Sequence, residues 1–250
     1  MGVFLLNVAF YAAMVIYTVV FVITFSPILW IVRIAAGRRE TLRLLRLFIL
    51  HYGKVILFVL ARPFITVRFV DHAAEGERGP FVYVSNHRAA SDAFLIGTLS
   101  GEIVQIVNTW PFKLPILGIC AKLAGYLSVR EMPFAEFSVR CAALLAEGVS
   151  IAGFPEGTRS GNATLGQFHG SLFRVAAENN VTIVPICMLG NEDKPRRGTL
   201  IMQPGTVTVH RMAGIPYETY KELAPFALKN MVREKIAAFA AEHEREICRT

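Results

Sequence analysis

The apolar positions of this chain change rhythm as the sequence proceeds. From Val3 to Ser26, "VFLLNVAFYAAMVIYTVVFVITFS" contains no charged residue. A helix of that length reaches about 36 Å, against about 30 Å for a bilayer's hydrocarbon core. Pro27 interrupts the run and "ILWIV" carries it to Val32, so a kinked span, a second helix or a re-entrant hairpin all fit. A cleaved leader fits poorly, because no basic residue follows Met1 and the stretch is too long for a signal-peptide core. Myristoylation is excluded by Leu6, where Ser or Thr is needed. "RRETLRLLRLFILHYGKVILFVLAR" then mixes Arg and Leu at helical spacing. It reads as an amphipathic helix in the membrane interface with its arginines near lipid phosphates, or as a helix packed on the globular part.

From about Ile65 the pattern becomes one of short β-rich runs separated by helical ones. "ITVRFV", "FVYVS", "EIVQIV", "VSIAGF" and "VTIVPICML" predict strands, and "LIMQPGTVTVHRM" predicts two more around Pro204-Gly205. "DAFLIGTL", "PFAEFSVRCAALLAEG" (closed by Gly148), "SLFRVAAENN" and "ALKNMVREKIAAFAAEHEREIC" predict helices. This alternation predicts the α/β class: a mixed sheet flanked by helices, with an N-terminal membrane-embedded helical segment. Two parts follow: membrane-anchoring transmembrane or interfacial helices over 1–64, and one globular domain over 65–250.

Composition sharpens the membrane reading. Of the 250 residues 54% are hydrophobic and 18% charged, whereas soluble domains average about 25% charged. Mean hydropathy is +0.46. The formal net charge of +7 suits nucleic acid, a membrane or an anionic substrate. No nucleic-acid-binding module is recognisable, so nucleic acid is not an expected partner. Arg33, Arg38, Arg39, Arg43 and Arg46 follow the apolar segment, with Glu40 the only acid up to residue 50. That places the flank on the cytoplasmic side of a cell membrane. Cys120, Cys141, Cys187 and Cys248 lack C-x-x-C spacing, which suggests a reducing compartment and argues against a metal site.

Two polar clusters stand at predicted strand ends, "SNHRAASD" and "FPEGTRS", and ligands of such sheets gather where strands end. His87 can take a proton at neutral pH, and Asp92 can fix its tautomer and steady the imidazolium. Taken alone, the pair reads more readily as a hydrogen-bonded core histidine with a helix-capping aspartate. The chain has no G-x-S-x-G elbow and no Walker sequence, and a His–Asp pair without its own serine suggests that the substrate brings the hydroxyl. Gly157 permits close backbone approach, and Arg159 and Arg130 offer forks that match phosphate. Glu156 can orient an arginine or bond a ligand hydroxyl. A turn carrying a surface ion pair remains the alternative.

"NHRAASD", "GYLSVR", "FPEGTRS" and "IVPI", in that order, resemble the four blocks of the glycerolipid (lysophospholipid, 1-acylglycerol-3-phosphate) acyltransferase family over roughly residues 65 to 212. The resemblance implies a membrane-bound O-acyltransferase whose catalytic domain is 65–250. His87 is then the general base and Asp92 its partner. Arg130, Glu156, Gly157 and Arg159 hold the acceptor's phosphate and head group, and Pro185 shapes a pocket. The donor is an acyl thioester of coenzyme A or acyl carrier protein, the acceptor a lysophospholipid, and no cofactor or metal is expected. Three departures bear on the acceptor. Ala89 stands where relatives often have Ser, Asn108-Thr109-Trp110 where a lysine is expected, and Phe168-His169-Gly170 where many read F-K-K-G. Another lysolipid or specialised lipid acceptor, a lipid thioesterase or hydrolase, and a non-catalytic membrane adaptor are the alternatives.

Overall fold

A computed structural model describes residues 2–99, 101–160, 164–196 and 198–247. The elements are helices α1 (Gly2–Ala35) and α2 (Gly37–Val55), a π turn (Ile56–Leu60), β1 (Ile65–Asp71), β2 (Val82–Ser85), α3 (Asp92–Gly97) and β3 (Ile103–Ile106). A 3-10 turn (Trp110–Lys113), α4 (Leu117–Leu123), α5 (Phe134–Ala146), β4 (Ser150–Gly153), α6 (Ser171–Glu178) and β5 (Ile183–Leu189) come next. β6 (Gly205–Arg211), a single turn α7 (Tyr217–Tyr220) and α8 (Pro225–Ile247) complete the described chain.

The six strands form one mixed sheet in the order β1-β6-β5-β2-β4-β3. β2 runs parallel to both β4 and β5, β3 runs parallel to β4, and β5 meets β6 antiparallel. The period-two alternation sends successive side chains into two different cores. Val82, Val84, Ile151 and Ile183 face α5, α6 and α8, where Phe137, Cys141, Leu172, Phe173, Val232 and Ile236 meet them. Tyr83, Ala152, Val184 and Ile186 face the opposite way, onto Leu95 and Ile96 of α3 and onto Phe10 and Tyr52 of the N-terminal helices. Both faces are therefore dry, which is why β2, β4 and β5 read as continuous apolar runs.

α1 is one helix, not two. It continues through Pro27, and the break falls at Ala36-Gly37, where Gly37 adopts φ +81°. α1 and α2 run antiparallel: Tyr17 stacks on Tyr52 at 5.3 Å, Phe25 lies 4.3 Å from Phe48, and Thr18 Oγ1 bonds Tyr52 OH at 2.7 Å. The start of α1 is fastened to the globular part. Asn7 donates to Met202 O at 2.9 Å and accepts from Met202 N at 2.8 Å, and Tyr11 OH donates to Leu200 O. This clamp corrects the expectation of a strand over Leu200–Gln203. The backbone there pairs with an asparagine side chain instead of a neighbouring strand, and only β6 forms after it. Arg46 shows the domain-packed reading of α2. It is buried, bonding Glu102 and Ala124 O at 3.1 Å each, so it ties α2 to the domain instead of facing lipid phosphate. Cys248 lies outside the described residues.

Candidate active site

β2 and β4 are hydrogen-bonded neighbours that end side by side, with Val84 opposite Gly153. The residues that follow them, Asn86-His87 and Phe154-Pro155-Glu156-Gly157, are therefore brought to one edge of the sheet. Asn86 extends β2's pairing by side chain: Nδ2 donates to Met188 O and Oδ1 accepts from Met188 N, both at 2.8 Å. This fixes where the chain leaves the sheet and so where His87 begins.

His87 Nδ1 lies 2.9 Å from Asp92 Oδ2. The same oxygen accepts the backbone N–H groups of Arg88 at 2.7 Å and Ala89 at 2.9 Å, and Asp92 Oδ1 accepts Asn191 Nδ2 at 2.6 Å. Asp92 is fully buried. With its carboxylate as acceptor, Nδ1 carries the proton and Nε2 keeps its lone pair. The ring is stacked on Phe154, 4.1 Å between centroids at 20°. The main chain of His87 is held as firmly: its carbonyl accepts Ser160 N at 2.9 Å, and its N–H donates to Glu156 Oε1 at 2.8 Å.

Glu156 is turned toward the backbone on both sides. Its other oxygen, Oε2, accepts Gly166 N at 2.9 Å, the residue is only 7% exposed, and it does not line the cavity described below. Burial raises its carboxyl pKa, while the two N–H groups and the neighbouring His87 and Arg88 work against that rise. Glu156 thus brackets the His87 loop to the 165–169 loop, one backbone N–H on each carboxylate oxygen. Pro185 departs from its expected place. It is buried in β5 opposite Val84 and lines no part of the cavity.

His87 opens into a cavity of about 900 Å³. Arg130, Gly157, Arg159 and His169 line it, so the three residues expected to hold the acceptor's phosphate and head group share one cavity with His87. Among the described residues neither Arg130 nor Arg159 has a carboxylate partner. Gly157 sits at φ +68°, and a Cβ there would meet the His169 ring at 3.2 Å. Apolar side chains from four helices line much of the rest, Phe21 and Val22 of α1, Ile49 of α2, Phe94 of α3 and Leu117 of α4, with Gln105, Asn108 and Ser171 among the polar residues between them. One volume therefore brings together two arginines without a carboxylate partner among the described residues, the His87 imidazole and a largely apolar lining.

Two contributors escaped the sequence reading. Asn191, fully buried beside Asp92, follows β5, and the strand-end logic that picked out His87 and Glu156 extends to it. Arg88 is buried between Glu192 and Glu244, which it meets at 2.8 Å through Nη2. Burial works to lower its pKa, and the two carboxylates outweigh that and raise it. Nothing local in the sequence announces partners more than 100 residues away.

The arrangement has parallels in known proteins. A family model described as "Acyltransferase" matches residues 64–189. The chloroplastic 1-acyl-sn-glycerol-3-phosphate acyltransferase of Arabidopsis thaliana is 36% identical over 134 residues, 52% of this chain and 38% of that protein. The alpha form of 1-acyl-sn-glycerol-3-phosphate acyltransferase from Ovis aries is 30% identical over 206 residues, 79% of this chain and 68% of that one. The chain thus spans well under half the length of the plant relative. The crystal structure of the 1-acyl-sn-glycerophosphate acyltransferase of Thermotoga maritima shares the fold, with a TM-score of 0.75 over 96% of this chain and 95% of that one at 20% identity. Family model and relatives agree with the geometry of the strand-end blocks, and the chain belongs to the glycerolipid acyltransferase family.

Proposed function

We propose that the protein transfers a fatty acyl group from an acyl thioester, carried by coenzyme A or acyl carrier protein, to the hydroxyl of a lysophospholipid. The first candidate acceptor is 1-acyl-sn-glycerol 3-phosphate, with phosphatidic acid as product. The observation that carries this is one cavity lined by His87, Arg130 and Arg159 together with many apolar side chains. The two arginines match a phosphomonoester, since a guanidinium binds phosphate oxygens through parallel N–H bonds. The apolar lining matches an acyl chain. The relatives' names, 1-acyl-sn-glycerol-3-phosphate acyltransferase, point to the same substrate.

In this mechanism His87 Nε2 removes the proton of the acceptor hydroxyl as its oxygen attacks the thioester carbonyl. Asp92 holds the ring and stabilises the imidazolium. The tetrahedral intermediate collapses, the C–S bond breaks, and the imidazolium returns its proton to the departing thiolate. A positioned base of this kind contributes about 10²–10⁴-fold, and pre-orientation of the two substrates adds to it. No metal or cofactor enters the scheme.

We assign residues 1–64 to membrane attachment at the cytoplasmic face of the cell membrane. α1 is about 51 Å long by its residue count, yet its first turns are fastened to the globular domain through Asn7 and Tyr11. Its other face is apolar and open, with Ile16, Ile23 and Trp30 at 64%, 67% and 68% exposure. A helix docked along one side and apolar on the other suits immersion beside the domain, which brings the cavity's apolar lining to lipid. Arg33, Arg38 and Arg39 at the far end fit anionic headgroups. The test is transfer of labelled acyl groups to a panel of lysolipids in vesicles. Esterification of acceptors carrying a phosphomonoester supports the assignment, and indifference to the phosphate refutes it.

A further inference from the structure

We propose that helix α8, which lies beyond the matched acyltransferase segment, positions the site, and that Arg233 is its positioning residue. The inference rests on the acyl-transfer reading only for its kinetic consequence. Arg233 donates from Nε to Gly166 O and from Nη2 to Leu165 O, both at 2.8 Å, and Lys229 Nζ donates to Phe168 O at 3.0 Å. These carbonyls belong to a segment with no regular secondary structure, Leu165 to His169. A fork that takes two successive carbonyls fixes such a segment in a way that one point charge cannot.

The segment then passes the restraint on. Gly166 N–H donates to Glu156 Oε2 at 2.9 Å, and Glu156 Oε1 accepts the N–H of His87 at 2.8 Å. His169 N–H donates to Pro155 O at 2.8 Å, which sets the His169 ring against Gly157 in the cavity wall. Arg233, Gly166, Glu156 and His87 thus form a continuous relay of polar contacts. α8 takes a second hold about three turns further along, where Glu244 meets Arg88, the residue after His87. The matched family segment ends at residue 189, so both holds come from outside it.

Two readouts on the full chain test this. The first is hydrogen–deuterium exchange of Arg233→Ala against the unsubstituted protein. Faster exchange is expected in residues 164–170 and also in 154–160 and 85–92, with 205–211 unchanged. Acceleration confined to 164–170, or none, overturns the relay. The second is steady-state transfer, normalised to folded protein. Arg233→Ala is expected to raise the acceptor's KM about tenfold, as loss of charge-assisted hydrogen bonds allows, with the donor's KM unchanged and most of the effect rescued by Arg233→Lys. A lowered melting temperature with unchanged KM values, or equal effects on both substrates, contradicts positioning. If Arg233→Ala does not fold, Arg233→Lys carries the test, because an ammonium lacks the guanidinium's rigid planar fork and a rise of about two- to threefold, the low end for one hydrogen bond, must remain. If the unsubstituted protein transfers no acyl group, the transfer reading fails and the exchange measurement still decides the relay.

Discussion

Asn191 Nδ2 lies 2.6 Å from Asp92 Oδ1, on the side of the carboxylate that His87 does not use. Asp92 is thereby bonded on both oxygens and cannot rotate away from the imidazole. A hydrogen bond to a buried charge is worth about 1.5–3 kcal/mol. Asn191→Ala is expected to lower kcat about tenfold or more with little change in either KM. Asn191→Asp sets a second carboxylate against the first, so the pH–rate profile should be displaced as well as lowered. A profile and kcat equal to those of the unsubstituted protein would show that Asp92 does not depend on this contact.

Glu156 spends both oxygens on backbone N–H groups. In Glu156→Gln one oxygen becomes an NH₂, which faces an N–H donor whichever way the amide turns. A buried donor left unpaired costs about 1–3 kcal/mol, equivalent to a fall of several degrees in Tm at about this chain length. Thermal unfolding should show that fall, and kcat should drop with it. A selective rise in acceptor KM at unchanged Tm would instead return Glu156 to the head group.

Arg159 lines the cavity without a carboxylate partner among the described residues. If it binds the acceptor phosphate in ground and transition states alike, Arg159→Ala raises the acceptor's KM and leaves kcat nearly unchanged. The effect should be about tenfold or more, given the strength of guanidinium–phosphate pairs. Initial-rate kinetics with donor and acceptor varied separately will show it. A change confined to the donor's KM would move Arg159 to the other substrate.

His210 is buried between His72, whose Nε2 is 3.1 Å from its Nδ1, and His243 on α8. Burial first, then His243 and His72, hold its pKa down to about 4 from 6.5. The unfolded chain therefore binds a proton that the folded one refuses, and stability is lost as pH falls from about 6.5 toward about 4. Tm should drop between about pH 7 and about pH 5, and more shallowly in His210→Gln. Parallel Tm profiles would exclude His210 as the source.

Much of this was legible in the sequence, and the reasons differ by element. β2, β4 and β5 are buried on both faces, so their runs were unbroken and easy to see. The strand-end clusters were visible because the chain spends polar residues there amid apolar neighbours. The tertiary pairings were not. Nothing local tells that Asn7 will clamp Met202, that Arg46 will meet Glu102, or that Glu156 will face two backbone donors. α4 and the 3-10 turn before it are short, and their outward residues Trp110, Ile119 and Leu123 blur the contrast on which periodicity relies.

The central claim is that His87 acts as base for acyl transfer. It is tested most directly by incubating labelled acyl thioester and 1-acyl-sn-glycerol 3-phosphate with vesicles that carry either the unsubstituted protein or His87→Ala, and resolving the lipid products. The account predicts labelled phosphatidic acid from the unsubstituted protein and a loss of at least about 10²-fold in His87→Ala, with the protein still folded. Undiminished phosphatidic acid from His87→Ala would contradict the mechanism. Label appearing only as free fatty acid would contradict transfer itself.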